Sequence, residues 1–163
     1  MTAPRLRELL EQLVAADVRF VLVGGLAVNA WGYLRGTRDV DIVPDPDPEN
    51  LARLAELLER LDGRVEVEQG RLGPSAIATF LKAGDRTLVA TELGPLDVLQ
   101  GLPQVPRYSE LVDDAREADL GGVRVLVCSL DALLEMKRAS TRPHDQGDIE
   151  ALEAGHDGTG GQD

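Results

Sequence analysis

A chain of 163 residues with 43% hydrophobic and 28% charged side chains is sized for one folded domain around one core. Its formal charge of −12 at pH 7 disfavours tight general binding of long nucleic acid, which proteins hold chiefly through basic contacts to phosphate. A single cysteine, Cys128, excludes an internal disulfide and argues against zinc, and no apolar run approaches the length of a membrane span. The start, Met1 to Arg5, lacks the apolar centre of a signal peptide, so a cytoplasmic protein is expected.

Leu6, Leu9, Leu10, Leu13 and Val14 form a helical stripe over residues 4–16, with Pro4 suited to a first turn. An apolar strand, Phe20 to Val23, then stops at Gly24-Gly25, and a helix-compatible segment runs from Leu26 to Leu34. A second strand follows over Asp39 to Val43. On it Asp39 and Asp41 stand at i and i+2, which puts both carboxylates on one face and Val40 and Ile42 on the other. Two acids so placed repel, and a cation relieves them; the plain alternative is a solvated edge strand. Gly-Gly at a strand-to-helix turn offers backbone N–H groups and close approach to a phosphate. Together, the glycines and the carboxylate pair describe a site for a metal-bound polyphosphate.

Gly24-Gly25, thirteen intervening residues and Asp39-Val40-Asp41 resemble the core motif of the DNA polymerase beta-like nucleotidyltransferase superfamily. The run Arg35-Gly36-Thr37-Arg38-Asp39-Val40-Asp41 looks most like the small bacterial nucleotidyltransferases of abortive-infection and toxin–antitoxin systems. Many superfamily members carry Gly-Ser where this chain has Gly-Gly, a variant common among the toxin-like members. The resemblance implies a magnesium-dependent enzyme with two metal ions, manganese being an alternative. It implies a nucleoside triphosphate such as ATP as donor, and an acceptor hydroxyl on a transfer RNA end, a protein or a small molecule. A toxin-type member would also have a cognate antitoxin as partner, and a non-catalytic nucleotide-binding relative stays open.

Further along, Pro44 to Asn50 alternates prolines and acids. It lacks the glycine and terminal glutamate of a calcium loop and reads as a turn that starts a helix over residues 49–61. Strands are expected over residues 64–68, 77–82 and 86–91, with Ala83-Gly84-Asp85 as a hairpin turn. Asp97 lies in a short apolar strand, Leu96 to Leu99, so it needs a partner. The resemblance makes it the third metal ligand beside Asp39 and Asp41, and catalytic with them; an arginine partner or a turn cap is the alternative.

Residues 103–122 are mixed, with a short helix over 108–115, and Val123 to Val127 reads as a strand. Ser129 is an N-cap for a helix on whose apolar stripe Lys137 falls. Lys137 either snorkels to water or meets the triphosphate, joining Gly24 and Gly25 as nucleotide-binding residues. The segment from Leu134 to Ala139, with Arg142, Asp145 and Asp148, resembles the superfamily's late basic-acidic pattern, departing from it at His144. Asp145 and Asp148 orient Lys137 or an arginine, or else are solvated helix-start acids. Four glycines in the nine residues from Gly155 indicate a flexible tail. The expectation is therefore a single α/β (α+β) domain over residues 1–154, a mixed central sheet flanked by helices in the nucleotidyltransferase fold, followed by a tail over 155–163.

Overall fold

In a computed structural model of the chain, residues 4–33, 36–140 and 143–159 are described. An amphipathic helix, α1 (Leu6–Ala15), buries Leu9, Leu10 and Leu13. It leads into β1 (Phe20–Val23), a strand buried along its whole length. Helix α2 (Gly24–Ala30) follows immediately and is shorter than expected. The chain turns at Gly32, where φ is +104°, and Trp31 anchors this end by donating its indole N–H to the Cys128 carbonyl at 3.0 Å. Next comes β2 (Val40–Pro44), whose Val40 and Ile42 are fully buried.

The proline-acid segment is the start of α3 (Pro48–Arg60): Asp47 caps it by accepting from the Glu49 N–H, and Pro48 opens the first turn. Buried Asn50 ties this turn to the start of β1, accepting from the Arg19 N–H at 2.7 Å and donating to the Arg19 and Asp45 carbonyls. Two short strands follow, β3 (Arg64–Val67) and β4 (Gly70–Leu72).

The expected strand over residues 77–82 is instead a helix, α4 (Ile77–Ala83). Gly73-Pro74 starts a tight turn that feeds it, Ile77 and Leu81 lie one turn apart and are both buried, and α4 packs on α3. What read as a hairpin turn is the helix terminus, with Gly84 in the left-handed region at φ +78°.

A genuine hairpin joins β5 (Thr87–Thr91) to β6 (Gly94–Val98). A short helix, α5 (Tyr108–Leu111), precedes β7 (Arg116–Leu120), which the sequence reading did not find. Then come β8 (Val123–Val127), α6 (Leu130–Arg138), capped by the Ser129 hydroxyl, and α7 (Pro143–Thr159). Helix α7 runs through the first residues of the expected tail, and residues 160–163 lie outside the described part.

Among the described residues eight strands form one mixed sheet in the order β4-β3-β5-β6-β2-β1-β8-β7, flanked by the helices, as expected for the nucleotidyltransferase fold. The central strands carry the core: β2 runs antiparallel to β1 and parallel to β6, and β1 runs parallel to β8. Among the described residues no helix is long and apolar enough to cross a membrane.

Candidate active site

The antiparallel register of β1 and β2 sets Val23 opposite Asp41, so the residue after β1, Gly24, lies beside the Asp41 side chain. The parallel register of β2 and β6 sets Asp41 directly opposite Asp97. Paired residues on adjacent strands point to the same face at a spacing of about 4.8 Å, and Asp39 joins that face two residues upstream. Val40, Ile42, Leu96 and Val98 fill the opposite face with no exposed surface. Alternation along two paired strands thus gathers the three predicted carboxylates on one wall of a cleft of about 940 Å³.

Gly24 is required by this arrangement. Its φ is +71°, and a Cβ there would lie 1.9 Å from Oδ2 of Asp41. The missing side chain makes room for the neighbouring carboxylate, a closer constraint than the phosphate approach inferred from sequence. Gly25, next to it, is buried and also lines the cleft.

Asp97 is buried and has an arginine partner. Arg86 donates from Nε to both carboxylate oxygens, at 3.0 and 3.2 Å, and from Nη2 to Oδ2 at 2.8 Å. This forked geometry is the strong form of a charge-assisted hydrogen bond. The Asp97 hydrogen bond holds the Arg86 guanidinium above its ordinary pKa; burial opposes this, while the fields of Asp97, Asp41 and Asp39 add to it. Arg86 thus supplies a cation to the carboxylate wall.

Sequence reading did not single out Arg86. The signal that could have found it is hairpin register: Leu88 faces Asp97 across β5 and β6, so Arg86 is the diagonal neighbour two residues back.

The donor set suits a hard divalent cation, since all three side chains offer carboxylate oxygens. Among the described residues no three His, Cys, Asp or Glu groups stand as a ready metal cage, and both Asp97 oxygens accept from Arg86. The fit is thus one of chemistry and placement, with Arg86 in competition for one member.

Helix α6 forms another wall. Lys137 reaches it as expected from the helical spacing, but its ammonium is buried, 2.6 Å from Asp145 Oδ1 and 3.2 Å from Asp148 Oδ2. The Ser140 hydroxyl donates to the other Asp145 oxygen. The predicted association of Lys137 with Asp145 and Asp148 is present, and it engages the lysine with carboxylates. Arg142 lies outside the described residues. Leu99, Leu102, Val105, Leu133 and Met136 give the cleft an apolar side, and exposed Arg38 lines it as well. The cleft can hold an anionic, metal-bound group against its acids and a partly apolar one beside it.

Comparison with known proteins agrees with this fold. The chain resembles the lincosamide antibiotic adenylyltransferase LnuA, solved with lincomycin bound, at a TM-score of 0.64 and 20% identity, over 91% of this chain and 94% of that one. It also resembles the antibiotic-resistance factor ANT(2'')-Ia, at a TM-score of 0.57 and 18% identity, over 96% of this chain and 83% of that one. An antigenic nucleotidyltransferase-like protein from Paracoccidioides brasiliensis matches at a TM-score of 0.57 and 20% identity, over 89% of this chain and 72% of that one. At these identities the likeness is one of fold. No curated protein sequence matches the chain. A family model described as "Nucleotidyl transferase of unknown function (DUF2204)" matches residues 2–160, and the chain, with its carboxylate wall on the two central strands, belongs to that nucleotidyl transferase family.

Proposed function

We propose that the protein transfers a nucleoside monophosphate from a nucleoside triphosphate to an acceptor hydroxyl, with Asp39, Asp41 and Asp97 as its catalytic carboxylates. The observation that carries this reading is the register of β2 against β6, which aligns Asp41 with Asp97 on the cleft face in a chain of a nucleotidyl transferase family. In the reaction the acceptor oxygen bonds to the α-phosphorus, the bond to the β-phosphate oxygen breaks, and pyrophosphate leaves. Asp97 takes the acceptor's proton. Magnesium or manganese ions held by the three carboxylates would neutralise triphosphate charge and acidify the acceptor hydroxyl. Gly24 and Gly25 keep the β1–α2 turn low enough for the phosphates to lie against it. Lys137 is engaged with Asp145 and Asp148, so it reaches phosphate only by releasing a carboxylate; exposed Arg38 also lines the cleft and can meet phosphate directly.

The acceptor we favour is a small molecule with an apolar body and a free hydroxyl. The cleft has an apolar side beside the acids, and the chain carries −12 charges, a poor surface for RNA. LnuA, solved with lincomycin, and ANT(2'')-Ia, solved with adenylyl-2''-tobramycin, are small-molecule enzymes of this fold, and by that analogy ATP is the donor. The second reading is a toxin-type enzyme acting on a transfer RNA end or a protein and controlled by an antitoxin. Exposed Arg38 and half-exposed Arg86 at the cleft favour it.

Incubation with each α-labelled triphosphate, magnesium and cell extract separates the readings. Label in a small, ribonuclease-resistant, protein-free product is expected. Ribonuclease-sensitive or protein-bound label moves the function to the second reading, and no transfer from any triphosphate contradicts both.

A further inference from the structure

The assignment above leaves Arg86 with a contact but no defined part in the reaction cycle. Its guanidinium covers both oxygens of Asp97, and a divalent ion needs at least one of them. A guanidinium and a divalent ion repel, so they cannot both sit against one small carboxylate at full strength. The two partners differ in exposure: the Arg86 side chain is 53% exposed while that of Asp97 is 9% exposed. The arginine can therefore leave through solvent, and the aspartate cannot follow it.

Backbone placement agrees with a mobile side chain on a fixed anchor. Arg86 precedes the first paired residue of β5, Thr87, and follows the left-handed turn at Gly84, so swinging its side chain breaks no ladder hydrogen bond. A phosphate presents the same two-oxygen edge as a carboxylate, and the guanidinium fork fits either. Arg86 also lines the cleft that contains Gly24, Gly25 and Arg38.

We propose that Arg86 is a substrate-positioning residue that exchanges partners: it holds Asp97 while the cleft lacks nucleotide and moves onto the triphosphate when that arrives. The exchange makes metal binding depend on nucleotide. Alone, a divalent ion has to displace Arg86 into water; with a triphosphate present, the displaced guanidinium finds an anionic partner of equal shape. The inference rests on the nucleotidyl-transfer reading of the site.

The test measures metal affinity on the full chain, by electron paramagnetic resonance and equilibrium dialysis with Mn²⁺. Wild type, Arg86→Gln and Arg86→Lys are each titrated without nucleotide, and again with the α,β-methylene analogues of ATP, GTP, CTP and UTP. Arg86→Gln should bind Mn²⁺ alone about tenfold or more tightly than wild type, the scale set by losing one charge-assisted competitor. The analogues should tighten Mn²⁺ strongly in wild type and much less in Arg86→Gln. Arg86→Lys keeps the charge but not the fork, so its affinity for Mn²⁺ alone should rise by a smaller factor, about two- to fivefold. It carries the test should Arg86→Gln fail to fold.

A purely structural arginine gives the opposite pattern, because removing it loosens Asp97 and lowers metal affinity. Unchanged or weakened Mn²⁺ binding in the variants, with analogue-dependent binding intact in wild type, overturns the exchange and leaves the active-site reading standing. No Mn²⁺ bound by any of the proteins under either condition overturns both.

Discussion

At position 24 a Cβ would lie 1.9 Å from Oδ2 of Asp41 in a backbone at φ +71°, so two independent penalties act on any side chain there. Gly24→Ala should cost about 1–3 kcal/mol of stability and displace Asp41, lowering transfer far more than the stability loss alone accounts for. Thermal melts beside label-transfer rates check this, and an alanine variant with full activity would show that Asp41 need not sit where it does. Cys128 offers a second test at this scale. Burial pushes its thiol from an ordinary 9.0 up to about 12, so the folded form keeps it neutral and inert. A disulfide-exchange reagent at pH 8 should leave it unmodified until denaturant is added. Because the folded value lies above the unfolded one, its contribution to stability is complete below pH 9.0 and is lost as the pH rises towards about 12. Of the candidate site residues, Asp39 and Asp41 were legible as a pair on one face because strand alternation is a two-residue rule. Asp97 was legible as an acid among apolar neighbours that needed a partner. Arg86 was not, because its role depends on which strand lies beside which.

Helix α7 shows how an element can depend on charge pairing more than on its apolar face. Among its described residues Ile149 and Leu152 are the buried apolar ones, while Asp145 and Asp148 meet Lys137 from α6 with all three side chains almost wholly enclosed. Lys137→Met keeps the stem and removes the ammonium from two buried carboxylates, so it should destabilise the fold by about 3–5 kcal/mol and speed hydrogen exchange in α7 before the sheet. A methionine variant as stable as wild type would show that the buried ion pairs contribute no net stability.

The elements also mark where local sequence signals mislead. Residues 77–82 look strand-like by their mix of Ile, Thr and Phe, yet burial of Ile77 and Leu81 against α3 makes them helical. Strands β4 and β7 occupy the two edges of the sheet; β4 is exposed throughout, and β7 offers only a short, weak alternation, half-buried Ala118 and Leu120 between exposed Glu117 and Asp119. By contrast β1, β2 and β8 are interior strands with a neighbour on each side, where a continuous apolar run or alternation is imposed by burial on both faces or on one.

For the whole molecule, the −12 charge and the carboxylate wall of the cleft bear on the acceptor. A neutral or weakly charged small acceptor should show a KM that changes by less than about twofold between roughly 50 and 200 mM salt. An RNA end held through several phosphates would instead lose affinity at a slope of about −0.7 per contact. The mixed sheet and its flanking helices were legible as a class because alternating apolar strands and amphipathic helices set the layers. The pairing that joins Asp41 to Asp97 was implied only by the family resemblance, since no local pattern encodes the long-range contact between β2 and β6. The central claim is that this pairing builds a nucleotidyl-transfer site. Its most direct test is transfer of α-label from nucleoside triphosphate by Asp41→Asn and Asp97→Asn proteins whose melting curves show them folded. The account expects both to lose transfer by about a hundredfold or more. Either variant working at the wild-type rate would contradict it.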